Sequence, residues 1–290
     1  MKNDNCGGTQ WPAENTSWIN FKKGFDECLA STGRYVVKSI EYCRDPKGTG
    51  GCGDWIADVA NLWRTTGDVQ NTWASVMGNI HSQNEMASVA VPGHFNECVP
   101  ATLRNSRVAS SQLLADFLLG AVMPSPDMLQ IGNIGLTLDE QYTHMTLWCI
   151  AGAPLLAGTD LIHASNDTLA ILANAEVTAV DQDLGKDGAI QGRLITPSAW
   201  QLEAGVVDPE VTTEVWIKHL ADGKSAAVAL VNLGDAAANI ELSFKDAGLP
   251  VATAKVRDLW KKADVGTKSG SYTASDVASH GAAMVKLTWP

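Results

Sequence analysis

The pattern of secondary structure changes once along this chain of 290 residues, and that change sets the fold class. Up to about residue 190, segments with apolar residues three and four positions apart alternate with short apolar stretches such as "RYVVKSI" and "LWRTTGD". This alternation of helices and strands is typical of parallel βα units. Further on, strand patterns follow one another with Gly and Asp between them. We therefore expect a parallel α/β domain over residues 1–190 and an antiparallel β domain over residues 191–290.

Local signals support both halves of this division. Residues 14–32 and 70–86 each carry an apolar stripe with helical spacing. Thr137 and Glu140 form a capping-box pattern, which predicts the start of a mostly buried helix. In the second half, the pair Asp222-Gly223 stands between two strand patterns, and this pair favours a hairpin turn.

Composition excludes several classes of partner. Apolar residues make up 45% of the chain against 18% charged residues, which is typical of a folded protein. The net charge of −11 disfavours nucleic acids and anionic membrane surfaces. The six cysteines have irregular spacings without a C-x-x-C pair, so no zinc site or other metal site is expected. The N-terminus lacks the basic and then apolar pattern of a signal peptide, so the chain taken literally is not expected to be exported.

Three aspartates follow strand patterns in the first domain: Asp4, Asp68 and Asp127. In a parallel barrel, catalytic groups gather at the C-terminal ends of the strands. Paired carboxylates there suit glycoside hydrolysis, and cations such as Lys2 and Arg64 would keep a carboxylate ionised. Each Asp is alternatively a helix cap or a turn former, and Arg64 is alternatively only a salt-bridge partner.

Several long stretches resemble one enzyme family. "KNDNC", "WRTTGDVQNTW" and "GHFN…PDMLQIGNIGLT" resemble segments of the α-galactosidases (melibiases) of glycoside hydrolase family 27, and "EQYTHMTLWCIAGAPLLAGTDL" continues the match. The resemblance covers nearly the whole chain except residues 97–125. It implies an α/β fold, namely a partial (β/α)8 TIM barrel from the end of strand 4 to strand 8, followed by an antiparallel β-sandwich domain.

The resemblance also implies a reaction and its residues. The family releases terminal α-linked galactose with retention of configuration, through a covalent glycosyl-enzyme. By position in the motifs, Asp4 is the expected nucleophile and Asp68 the expected acid/base. Lys2, Arg64 and Asp127 match residues that bind the galactose hydroxyls. The chemistry needs two carboxylates, so no cofactor is implied; the expected partner is an α-galactoside, with no nucleic acid and no membrane.

Glu41 bears on specificity. It aligns loosely with a Glu found in many α-galactosidases beside the C2 hydroxyl of the sugar, and this favours galactose over N-acetylgalactosamine. Alternatively, Glu41 is a surface carboxylate. Two further functions stay open at this point: an α-N-acetylgalactosaminidase and a non-catalytic galactose-binding remnant. The natural galactoside (an oligosaccharide, a galactomannan or a glycolipid) and the oligomeric state are also open.

The resemblance places Met1 near the end of the fourth barrel strand. It implies that strands one to three precede this point in the full-length parent, with a signal peptide and a cysteine that bridges to the position of Cys6. The parent is accordingly expected to be secreted, or delivered to a lysosome-like or vacuole-like compartment. We expect the literal chain to be truncated, poorly folded and weakly active or inactive.

Residues 97–125 interrupt a family motif that otherwise reads N-D-P-D-M. The edges of this block, Glu97-Cys98-Val99 and Ser125, fit the translation of an intron that begins GT, ends AG and splits an Asp codon. The hypothesis is a retained intron, and the alternative is a genuine loop insertion. In either case we expect the block to displace the residues that position Asp127.

Overall fold

The computed structural model describes residues 2–3, 16–34, 36–40, 59–84, 123–197, 200–201, 206–208 and 210–290. In the N-terminal part of the chain, four short strands pair in parallel and follow the sequence order across one sheet. Parallel strands need long crossover connections, and helices supply them here. The strands are β1 (Lys2–Asn3), β2 (Ser39–Ile40), β3 (Leu62–Arg64) and β4 (Met123–Ser125).

Among the described residues, five helices accompany this sheet. The predictions of helices over 14–32 and 70–86 are confirmed for Thr16–Thr32 and Trp73–Asn84. The apolar stripe of the second helix packs into the core through Val76, Met77 and Ile80, each at most 5% exposed. The helices are α1 (Thr16–Thr32), α2 (Trp73–Asn84), α3 (Leu138–Ala151), α4 (Asn166–Leu172) and α5 (Ala175–Asp181).

Helix α3 begins at the capping box that the sequence predicts. The Glu140 amide donates to Thr137 Oγ1 over 3.2 Å, and the Thr137 amide donates to Glu140 Oε2 over 2.7 Å. The helix ends where Gly152 adopts a left-handed conformation, with φ of 60°. Ten of its fourteen residues are buried, because α3 packs against neighbouring helices and against strands of the C-terminal part.

The C-terminal part is a β-sandwich. Its larger sheet has six antiparallel strands and its smaller sheet has two, and a further short pair lies between the first and second strands of the larger sheet in chain order. The predicted Asp222-Gly223 hairpin is confirmed. The strands are β5 (Arg193–Leu194), β6 (Trp200–Gln201), β7 (Val206–Val207), β8 (Thr213–His219), β9 (Ser225–Asn232), β10 (Ala238–Ser243), β11 (Thr253–Asp258), β12 (Ala263–Ser269), β13 (Ser271–Val277) and β14 (Ala282–Thr288). The six-stranded order is β12-β11-β14-β9-β8-β5, and β10 pairs with β13.

Strand β9 is buried at all eight positions. Side chains alternate between the two faces of a strand, so each face of β9 must be covered by a different layer. One face contributes to the core between the two sheets, and the other packs on the helices of the first domain. The first set of residues is Ala226, Val228 and Leu230, and the second set is Ala227, Ala229 and Val231.

Polar contacts reinforce the same interface. Arg257 on β11 binds both carboxylate oxygens of Glu176 on α5 at 2.7 Å. This bidentate contact is of the strong, charge-assisted kind, and it holds the pKa of Glu176 below its usual range. The Trp260 indole donates to Thr146 Oγ1 over 2.9 Å. The helices and the sandwich are therefore joined by directional bonds as well as by apolar packing.

Some strand predictions are only partly right. "RYVVKSI" contributes only Ser39–Ile40 to the sheet, and "APLLAG" contributes one parallel bridge, between Leu129 and Ala157. The predicted helix over 54–61 lies mostly outside the described residues. No helix among the residues that the structure describes is long and apolar enough to cross a membrane.

Candidate active site

Three of the predicted site residues meet at the C-terminal ends of β3 and β4. Arg64 is the last residue of β3, and Asp68 and Asp127 lie in the loops that follow the two strands. Arg64 Nη2 lies 3.0 Å from Asp68 Oδ1 and 3.3 Å from Asp127 Oδ2. A single guanidinium nitrogen therefore bridges the two carboxylates.

Arg64 is well placed to hold this geometry. The side chain is buried, and Nη2 also donates to the Thr66 carbonyl over 3.1 Å. Two further buried polar atoms, Arg64 Nε and Thr66 Oγ1, have no hydrogen-bond partner within the described part of the chain. A buried donor beside two carboxylates is free to bind an oxygen of a ligand.

Asp127 has an unusual backbone. Its φ of 83° lies in the left-handed region, which costs free energy for a residue other than glycine and persists where the surroundings enforce it. The Asp127 amide donates to Ser125 Oγ over 3.2 Å, and the Trp148 indole donates to the Asp127 carbonyl over 2.9 Å. These contacts direct the carboxylate towards the Val69 amide, which donates to Asp127 Oδ2 over 2.9 Å.

The two carboxylates differ in exposure. The Asp68 side chain is 76% exposed, whereas the Asp127 side chain is 12% exposed. An exposed carboxylate can exchange a proton with solvent and with a ligand, which suits an acid/base. A largely buried carboxylate with fixed partners suits a hydrogen-bond acceptor for a ligand hydroxyl. The roles of Asp68 as acid/base and of Asp127 as a sugar-binding residue stay predictions.

The structure describes no side-chain contacts for the other three predicted site residues, Asp4, Glu41 and Lys2. Asp4 and Glu41 lie outside the described residues. Lys2 lies in β1, which pairs with β2, so its backbone is two strands away from Arg64 in the same parallel sheet. The roles of Asp4, Glu41 and Lys2 stay predictions.

The structure differs from our expectation that the 97–125 block displaces the residues that position Asp127. Met123–Ser125, the last residues of the 97–125 block, form β4 and pair in parallel with Leu62–Arg64. Because β4 supplies a strand immediately before Pro126, Asp127 stays beside Arg64 instead of being displaced. Residues 97–122 lie outside the described residues, and the retained intron stays a prediction.

Two residues that build this site could not be predicted from the sequence. Val69 binds Asp127 through its backbone amide, which no side-chain pattern reveals. Asn79 is an amide on the buried side of α2, and its hydrogen bonds reach loops that are distant in sequence. Within the described ranges, no group of three or more His, Cys, Asp and Glu side chains is arranged to hold a metal ion, and Cys28 and Cys149 are free thiols.

Comparison with known proteins identifies the family. The model described as "Alpha galactosidase A" matches residues 1–126 and 123–183, and the model described as "Alpha galactosidase C-terminal beta sandwich domain" matches residues 210–287. The two segments of the first match meet inside the interrupted motif.

Individual relatives agree with these matches. The chain is 32% identical to Alpha-galactosidase 2 of Arabidopsis thaliana, over 99% of this chain and 59% of the relative. It is 32% identical to the alpha-galactosidase of Cyamopsis tetragonoloba, over 99% of this chain and 57% of the relative. The crystal structure of alpha-galactosidase I from Mortierella vinacea superposes with a TM-score of 0.72 at 25% identity, covering 99% of this chain and 66% of that one. The chain thus spans a little over half the length of these two curated relatives, and it belongs to the α-galactosidase family of glycoside hydrolase family 27.

Proposed function

We propose that this chain carries part of the active site of a retaining α-galactosidase, which releases terminal α-linked galactose from oligosaccharides, galactomannans or glycolipids. The observation that carries the proposal is the bridge from Arg64 Nη2 to Asp68 and Asp127 at the ends of adjacent parallel strands. Catalytic groups of barrel enzymes occupy this end of the strands.

In this proposal Asp68 is the acid/base. It gives a proton to the glycosidic oxygen while the Asp4 carboxylate attacks C1, so the C–O bond to the leaving group breaks as the bond to Asp4 forms. Asp68 then takes a proton from water as the water oxygen attacks C1, and the bond from C1 to Asp4 breaks, so galactose leaves with its original configuration. Arg64, Asp127 and Lys2 bind hydroxyl groups of the sugar, and Glu41 disfavours an acetamide at C2.

The proposal extends to the cellular setting. The longer parent protein is proposed to be secreted, or delivered to a lysosome-like or vacuole-like compartment, with a disulfide at Cys6. This extension rests on the family resemblance described above.

The test is hydrolysis of 4-nitrophenyl α-galactoside by the full chain, for which we expect weak turnover. We expect Asp68→Asn to abolish turnover, and Asp4→Gly to abolish it with partial recovery in azide. Asp246→Asn, a matched change at an exposed position of the sandwich, should leave turnover unchanged. NMR of the first-formed sugar should show the α-anomer. Faster turnover of the 2-acetamido substrate would indicate an α-N-acetylgalactosaminidase.

One further outcome would overturn the enzyme assignment, and another would overturn the role of Asp68. Galactose binding that survives Asp68→Asn, without hydrolysis by the unsubstituted chain, would indicate a binding remnant. Equal turnover in the Asp68→Asn variant and the unsubstituted chain would exclude Asp68 as the acid/base.

A further inference from the structure

One amide group contacts the loops of both site carboxylates. Asn79 Nδ2 donates to the Pro126 carbonyl over 3.0 Å and to the Gly67 carbonyl over 3.3 Å. Each of these carbonyls belongs to the residue immediately before a carboxylate, Asp127 in one loop and Asp68 in the other. The bridge therefore joins two loops that are almost sixty residues apart in the sequence at the points where they present their charged groups.

The position of Asn79 is fixed by its helix. Its neighbours Val76, Met77 and Ile80 are buried in the core, and Asn79 itself is 8% exposed. A side-chain amide has two N–H hydrogens, and two carbonyl acceptors use both of them. Because one nitrogen serves both carbonyls, the separation of the two loops cannot change without the loss of a buried hydrogen bond.

The proposed reaction needs this separation to be fixed. Arg64 binds both carboxylates, and Asp127 is held in addition by the Val69 amide and the Trp148 indole. Within the described residues, the mostly exposed Asp68 carboxylate has Arg64 as its side-chain partner. The place of Asp68 relative to the sugar site therefore depends strongly on the backbone of its own loop. Asn79 binds that backbone one residue before Asp68.

We propose that Asn79 is a positioning residue: its amide sets the distance of the acid/base Asp68 from the sugar-binding Asp127. This inference rests on the proposed function, which supplies the roles of the two carboxylates. A misplaced acid gives its proton less efficiently, and small displacements of catalytic groups cost large factors in rate.

The positioning role can be distinguished from a loss of stability by comparing the rates of hydrolysis of two substrates. A sugar leaving group requires protonation by Asp68, whereas nitrophenolate leaves with little help from an acid. Loss of the Asn79 bridge should therefore slow the hydrolysis of raffinose-type galactosides more than that of 4-nitrophenyl α-galactoside. A variant that merely lowers the folded fraction would slow both reactions by the same factor.

The first experiment needs no activity. Hydrogen–deuterium exchange of the full chain is compared for Asn79→Leu, Asn79→Asp and Asn232→Leu. Asn232 is the matched control, because its buried amide nitrogen also joins separate segments, at the carbonyls of Ala236 and Val277 over 2.7 and 2.9 Å.

Both Asn79 variants should speed exchange about tenfold in residues 66–70 and 126–129 together, including the Val69 amide that binds Asp127. Asn79→Asp keeps the size of the side chain and removes the donor, so it covers the case in which the leucine variant fails to fold. Unchanged exchange, or faster exchange in one loop alone, would overturn the inference. Asn232→Leu should leave both site loops unaffected.

The second experiment measures kcat/KM for both substrates. The Asn79 variants should lose about tenfold more activity towards raffinose than towards 4-nitrophenyl α-galactoside, and Asn232→Leu should keep the original ratio. Equal losses on both substrates would overturn the positioning role. If the unsubstituted chain hydrolyses neither galactoside, the proposed function fails, and the exchange comparison still decides whether Asn79 ties the two loops together.

Discussion

The ammonium group of Lys218, on strand β8 of the sandwich, donates over 2.8 Å to the carbonyl oxygen of Val180, in the last turn of helix α5. A second bond reaches the Asp181 carbonyl at 3.2 Å. Carbonyls at a helix C-terminus lack partners within the helix, and a cation there interacts favourably with the helix dipole. Lys218 is thus a cap for α5 that the other domain supplies.

Replacement of Lys218 by Met should destabilise the protein. The change keeps the length of the side chain but removes the charged donor to two buried carbonyls and the positive charge beside the buried Asp181 carboxyl group. We therefore expect the free energy of unfolding to fall by about 3 kcal/mol. Urea denaturation at pH 7 measures this. Lys286→Met is the control, since Lys286 makes only a 3.9 Å ion pair with Asp222 and is partly exposed. Equal losses in the two variants would argue against the cap.

Asp181 predicts a pH dependence at the same interface. Burial raises the pKa of its carboxyl to about 7, well above the value of about 4 expected in the unfolded chain. The folded state therefore binds this proton more tightly, and the stabilising contribution of Asp181 is present below pH 4 and lost as the pH rises to 7. Relative to Asp181→Asn, the free energy of unfolding of the unsubstituted chain should fall between pH 4 and 7, by up to about 1.4 kcal/mol per pH unit. Parallel pH profiles would contradict this, and Asp235→Asn, an exposed change, should show them.

His144 predicts the opposite trend with acid. Burial lowers the pKa of this imidazole to about 3. Because the unfolded chain takes up its proton near pH 6.5, the stabilising contribution of the neutral ring is complete above that pH and is lost as the pH falls towards 3. Both ring nitrogens lack a hydrogen-bond partner within the described ranges, so His144→Phe should fold. Matched urea titrations give the difference in the free energy of unfolding between the variant and the unsubstituted chain. This difference should shift in favour of the variant by about 2 kcal/mol between pH 8 and pH 5. A constant difference would count against this assignment.

Gly152 predicts a large effect of one methyl group. Its φ is 60°, and an added Cβ would lie 2.6 Å from the Ile190 carbonyl oxygen. An alanine in the left-handed backbone conformation costs roughly 1–2 kcal/mol. Gly152→Ala should lower the free energy of unfolding by more than this, because the clash adds to the backbone cost. Gly223→Ala is the matched control, since Gly223 has a φ of 67° with open space around it. Thermal denaturation of both variants separates the clash from the backbone strain, and similar losses would show that no clash occurs.

The sequence predicted those elements whose signals are local. The capping box at Thr137, the Asp222-Gly223 hairpin and the apolar stripe of α2 each depend on residues a few positions apart, and all three are confirmed. The apolar strand patterns do not extend to β12 and β13. Strand β12 is mostly exposed, and β13 buries Tyr272, Ala274 and Val277 between polar residues, so pairing with neighbouring strands defines both elements.

The same distinction applies to the candidate site. Motif position was sufficient to bring Arg64, Asp68 and Asp127 together as candidates, and the structure places these three in contact. Asn79 and the left-handed backbone of Asp127 depend on how two distant loops approach each other, which no local spacing reports.

Strand β9 also limits how this architecture could have been assembled. Its alternate side chains contribute to two hydrophobic cores, one on each side, and the core beneath the helices of the first domain is incomplete without Ala227, Ala229 and Val231. The sandwich would therefore not fit an unrelated catalytic domain without new residues at every second position of β9.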